Sequence, residues 1–275
     1  MIASLRSEFR KLLTTRATYV IALLFLGLSM FVDFYIHGYK DSITEQAILS
    51  GHSPLDQAQA SLFVAGSLPQ IANIASIACA LIALLLVANE YRYNTIVYTL
   101  TMANRRSKVL AGKIIAVLAL VLVYSVLFTT ICLGLIWAGA ASAGHSLPPQ
   151  TIDLPVFYAK TVFFCESFAM AGMLFAALFR NQVGAIAALF VIPNMVEGLI
   201  SLLLKHNSVY MPFMALQQVI EPPVVHLADK AGHPAHPATS ALGSLSPGKG
   251  ALVSLVYLVG GWIVAWVLFL KRDAN

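Results

Sequence analysis

Long apolar runs separated by short polar intervals dominate this chain. Six runs are long enough to cross a hydrocarbon core about 30 Å thick. They fall near Ala17–Ile36, Ile71–Ala88, Val109–Gly139, Leu154–Phe179, Val183–Leu204 and Ala251–Leu270. Lipid cannot satisfy exposed backbone groups, so each run predicts a helix. The pattern therefore predicts an all-α integral membrane protein with six transmembrane helices in one domain over 1–275. The first run lacks a small-residue cleavage site after it and reads as a span rather than a cleaved leader.

The intervals carry further signals. In Met1–Arg16, Ile2, Leu5, Phe9 and Leu12 recur at helical spacing, with Arg6, Arg10 and Lys11 largely off that face. This predicts an interfacial amphipathic helix over 1–16. The interval Gly38–Ser67 is mostly polar and reads as an outer loop with room for a short helix. Val209–Ile220 is too apolar for a wet loop and too short to span, which predicts a re-entrant outer helix between spans five and six. Within this 205–250 outer region, the chain turns rich in Pro, Gly, Ala, Ser and His after Pro222-Pro223, as an exposed loop would.

Composition agrees with a membrane protein: 59% of the 275 residues are hydrophobic and 11% are charged, against about 25% charged in soluble domains. The net charge of +5 is explained by positive-inside bias rather than by nucleic-acid binding. With the N-terminus inside, the inner side receives Arg6, Arg10, Lys11, Arg16, Arg92, Arg105, Arg106, Lys108, Lys113, Arg180, Lys271 and Arg272. That is 12 of the 17 basic residues, and it predicts a multi-pass plasma-membrane protein with both termini cytoplasmic. The largest inner interval is 89–113. It opens with Asn89-Glu90-Tyr91-Arg92-Tyr93-Asn94-Thr95, carries Asn104-Arg105-Arg106-Ser107-Lys108, and ends at Lys113. Such a basic loop between two spans suits a docking surface for a soluble partner.

The catalytic and metal classes find little support. Gly243-Ser-Leu-Ser-Pro-Gly248-Lys249-Gly250 resembles a phosphate loop, but Gly250 stands where Ser or Thr should hold Mg²⁺ and no strand precedes it. His226, His233 and His236 lie in a Pro-rich loop that makes no rigid ligand frame. Cys79, Cys132 and Cys165 lie inside apolar runs without ligand or disulfide spacing. No catalytic residue, metal site or cofactor is expected on this chain. Glu166 and Glu197 fall near mid-span, where an ionised carboxylate costs about 3 kcal/mol. Either they line a substrate path or polar seam, or neighbouring polar groups satisfy them. Pro193 should loosen the helix one turn before Glu197. Asn194, Glu197 and Ser201 are expected to form one polar stripe by their spacing. Small residues at Ala72, Ser76, Ala80, Gly172 and Ala176 predict close packing of the second and fourth spans.

The run Glu90-Tyr91-Arg92-Tyr93-Asn94-Thr95-Ile96, then Leu100, then Arg105-Arg106-Ser107-Lys108-Val109-Leu110-Ala111-Gly112-Lys113, resembles the six-span membrane subunits of type-2 ABC exporters. The basic leader, the Tyr210–Leu216 segment and the Phe269-Leu-Lys-Arg-Asp273 ending are similar too. Asn94 replaces a common Gly, and Ala103-Asn104 replaces a Pro-containing turn. The resemblance implies a coupling helix in the loop, with Glu90, Arg92, Thr95, Leu100, Arg105, Arg106 and Ser107 contacting a separate cytoplasmic ATP-binding subunit. It further implies ATP and Mg on that partner, two copies of it, and a second membrane subunit in a homo- or heterodimer. The alternative class is a channel, ion-coupled carrier or scaffold that uses no ATP.

Overall fold

The computed structural model describes residues 10, 15, 16, 18–28, 57–93, 95, 106–142, 153–220 and 245–271. No strand occurs among them. The helices are α1 (Thr18–Leu28), α2 (Gln57–Arg92), α3 (Arg106–Ser142), α4 (Leu154–Phe179), α5 (Gln182–Leu204), α6 (Pro212–Ile220) and α7 (Pro247–Lys271). Five of them (α2, α3, α4, α5 and α7) are long and apolar enough to cross a membrane. The expected first span is described as a helix only over Thr18–Leu28. The amphipathic face of the 1–16 leader, the His-containing loop, Leu100 and Arg105 lie outside the described residues.

Two boundaries differ from the sequence reading. Gln57–Ser67, expected in a polar loop, forms the opening turns of α2. Its Gln, Ala, Leu and Val residues carry no stop signal, so the helix continues although the apolar run has not begun. Likewise the 89–113 interval is mostly helical at its two ends: Asn89–Arg92 finishes α2, and Arg106–Lys113 starts α3. Polarity marks where lipid ends, whereas helix ends are set by local backbone chemistry.

Helix α4 is the hub, touching α2, α3, α5, α6 and α7. Asp153 caps its start by accepting from the Val156 N–H at 3.4 Å, with Pro155 in the first turn. Arg180 ends it in the left-handed conformation (φ 52°), donating its N–H to the Ala176 carbonyl. Asn181 then caps α5 through Val183 N–H at 3.0 Å, so two residues reverse the chain. Against α2, the small residues behave as expected: Ala72, Ser76, Ala80 and Ala176 are buried. A Cβ on Gly172 would collide with the Ala80 carbonyl oxygen. Only glycine allows the two backbones to come this close.

Helix α5 is not uniform. A π turn occupies Ile192–Val196, and the Glu197 N–H reaches back to the Ile192 carbonyl. Pro193 cannot donate its own backbone bond, and the wider turn accommodates the loss. After α5 a 3₁₀ segment, Lys205–Tyr210, leads into α6. With nine residues, α6 is about 13 Å long and cannot span a bilayer. It buries Phe213, Ala215, Leu216, Val219 and Ile220 and packs on α4 and α7. A Cβ at Gly250, in the first turn of α7, would lie 2.5 Å from the Ala215 carbonyl oxygen. The residues that mimic a phosphate loop therefore serve, from Pro247 onward, as a helix start packed on α6.

Candidate functional site

The motif end of the bundle is where α2 finishes, α3 begins and α4 turns into α5. Consecutive residues on a helix point about 100° apart, so Glu90, Tyr91 and Arg92 reach three different neighbours. Glu90 accepts from Lys113 Nζ of α3 at 2.5 Å. Both side chains are buried, with 5% and 7% of their surface exposed. The Tyr91 ring lies under the Arg180 guanidinium of the α4–α5 turn, 5.8 Å from its centroid. Arg92 Nη1 donates to Gln182 Oε1 of α5 at 3.0 Å, and the same guanidinium covers the Tyr93 ring at 5.4 Å.

This arrangement divides the expected contact residues. Glu90 turns into the bundle and ties α2 to α3. Arg92, Tyr93 and Thr95 are exposed, with 65% of Tyr93 accessible. Arg106 and Ser107 lie in the first turn of α3. A cavity of about 260 Å³ opens at the end of α2, lined by Asn89, Glu90, Tyr93 and Thr95 together with Thr15 and Thr18. The sequence reading missed Tyr91, Lys113, Arg180 and Gln182 as its supports. A signal existed for Lys113, a lysine followed directly by an apolar span.

Glu197 occupies a different site. It is 2% exposed, and its two carboxylate oxygens accept the backbone N–H groups of Phe213 (3.0 Å) and Met214 (2.9 Å). These are among the N–H groups that the first turn of a helix leaves unpaired. A carboxylate in α5 therefore caps α6, with favourable charge at the positive end of its dipole. The expected polar stripe is split. Ser201 is buried and donates to the Gly198 carbonyl at 2.7 Å. Asn194 is exposed and donates to the Phe190 carbonyl at 2.9 Å. The π turn between Asn194 and Glu197 rotates them out of the register that α-helical spacing predicts. Close to the cap, Gln217 donates to Asn73 of α2 at 2.9 Å, and Gln218 accepts from the Leu245 N–H at 3.3 Å.

Glu166 is half-buried in α4 and stands apart from both sites. It faces a groove between α4 and α7. Its Oε2 is buried and has no hydrogen-bond partner among the described residues. The three cysteines are buried and none of them forms a disulfide. Among the described residues, no group of three His, Cys, Asp or Glu side chains is placed to hold a metal ion.

Against this geometry, the sequence profile described as "ABC-2 family transporter protein" matches residues 2–274. No curated protein sequence matches the chain.

Proposed function

Because the chain belongs to the ABC-2 family of membrane transport proteins, we propose that it is the transmembrane subunit of an ATP-driven exporter, worked by a separate ATP-binding subunit that docks at the motif end. In this reading ATP and Mg bind the partner. Arg92, Thr95, Leu100, Arg105, Arg106 and Ser107 make the contact, and Glu90 anchors the surface from beneath. Six spans with both termini cytoplasmic would put the motif end in the cytoplasm. Two copies each of the membrane and ATP-binding subunits would complete a two-fold machine, the membrane pair being a homo- or heterodimer.

The observation that carries the proposal is the interlocking of three consecutive motif residues with three different elements. Glu90 holds α3, Tyr91 meets the α4–α5 turn, and Arg92 holds α5. A force applied at the exposed Arg92–Thr95 surface would move these helices together. A loop with no such ties would yield without moving the spans. The rival ion-coupled carrier would need an uncommitted carboxylate within the spans. Among the described residues Glu197 is committed to its cap, which leaves Glu166 for that role.

The test is charge reversal. In the double variant Arg105→Glu, Arg106→Glu, the ATP-binding subunit should no longer co-purify, or its ATPase activity should no longer drive transport. Normal assembly with normal coupled transport would overturn the reading.

A further inference from the structure

The seam between α4 and α7 holds a groove of about 470 Å³, within the usual range for drug-sized ligands. On the α4 side it is lined by Phe163, Glu166 and Met170, and on the α7 side by Val259, Trp262 and Trp266. Among the described residues Glu166 is the only ionisable one in the lining, which is otherwise almost entirely apolar. Trp262 is fixed in place, since its indole N–H donates to the Met170 carbonyl at 3.2 Å. We propose that this groove binds a hydrophobic organic cation, with Glu166 as counter-ion and the two indoles as walls.

Three features select this class of ligand. A carboxylate oxygen removed from water without a hydrogen-bond partner is poorly compensated, and a nearby positive charge corrects this. Indole faces attract cations, most strongly where water is excluded. Beyond Glu166 and Ser167 the lining offers almost no hydrogen-bonding side chains, so an ammonium with several N–H groups would be left unsatisfied. A quaternary ammonium or phosphonium inside an apolar body makes no such demand. An anion would meet Glu166 directly and be repelled. The inference rests on the transport reading, to which it adds a substrate class, but binding can be measured without the ATP-binding subunit.

The experiment uses the full chain in lipid nanodiscs and radiolabelled tetraphenylphosphonium. Saturable binding is expected, competed by unlabelled tetraphenylphosphonium and not by tetraphenylborate, an anion of the same shape. Glu166→Gln should weaken the affinity at least about tenfold, as loss of a desolvated charge partner does. Val259→Trp fills the groove from its exposed side, leaves Glu166 intact, and should also abolish binding. This second variant keeps the test valid if Glu166→Gln folds poorly. No saturable binding to well-folded protein, or unchanged binding in either variant, overturns the proposal. It is equally overturned if Val259→Trp alters pairing of the membrane subunits while cation binding persists, since the groove would then be a subunit seam. Normal assembly and coupled transport in the Arg105→Glu, Arg106→Glu variant, with cation binding intact, would remove the transport reading alone.

Discussion

The carboxylate of Glu197, within α5, accepts the backbone N–H of Phe213 at 3.0 Å and so fixes a helix that begins only after the chain has reversed. Both oxygens are used, the second by Met214. Glu197→Gln keeps one acceptor and turns an amide N–H₂ toward the Met214 N–H. The expected loss is about 1–3 kcal/mol, the usual cost of stranding a buried donor. Glu197→Leu removes both bonds and should be worse. Thermal unfolding in detergent checks the order, wild type above Gln above Leu. Equal midpoints for wild type and Leu would exclude the cap.

The buried Glu90–Lys113 pair predicts a marked non-additivity. Glu90→Leu or Lys113→Met alone leaves one charge buried and should cost about 3–5 kcal/mol, whereas the double substitution should be nearly neutral. A double-mutant cycle on unfolding midpoints measures this. Additive single effects would show that the two groups do not depend on each other.

Close packing of α2 on α4 makes Gly172 and Gly198 opposite cases. Gly172→Ala drives a methyl group into the Ala80 backbone and should destabilise by about 1–3 kcal/mol, as overpacking does. At Gly198 an added Cβ meets nothing within 4 Å. Alanine there should be neutral or stabilise by up to about 1 kcal/mol through helix propensity. Comparing the two unfolding midpoints tests the contact.

Much of this was legible in the sequence because the signals are local. Five apolar runs became helices long enough to cross a membrane, Pro193 disturbed α5 as its chemistry requires, and the small residues at Ala80 and Gly172 met. What was not legible depended on tertiary pairing. Nothing near Glu197 in sequence reveals its partners, which lie sixteen and seventeen residues away, beyond a 3₁₀ segment and a reversal. Asn194 left the predicted stripe because a π turn changes the periodicity on which stripe arguments rest. Glu90 looked like a surface residue from its polar neighbours, yet its direction on α2 points it at Lys113.

Placement of α6 within the outer leaflet, part of the proposed topology, has its own test. Phe213 and Leu216 are buried, whereas Asn207 is exposed. Cysteines at Phe213 and Leu216 should resist a membrane-impermeant thiol reagent applied outside intact cells, and one at Asn207 should react. Equal labelling at all three positions would contradict the placement.

The central claim is that the exposed edge of the motif end is the handle for an ATP-binding subunit, and photo-crosslinking tests it most directly. A photoreactive amino acid placed at Tyr93 or Thr95, both exposed, should form a covalent adduct with the ATP-binding subunit in intact membranes. The same group at Tyr124, part-buried within α3, should not. Adducts from Tyr93 and Thr95 and none from Tyr124 are the predicted result. An assembled, transporting complex that gives no adduct from either exposed position would contradict the account.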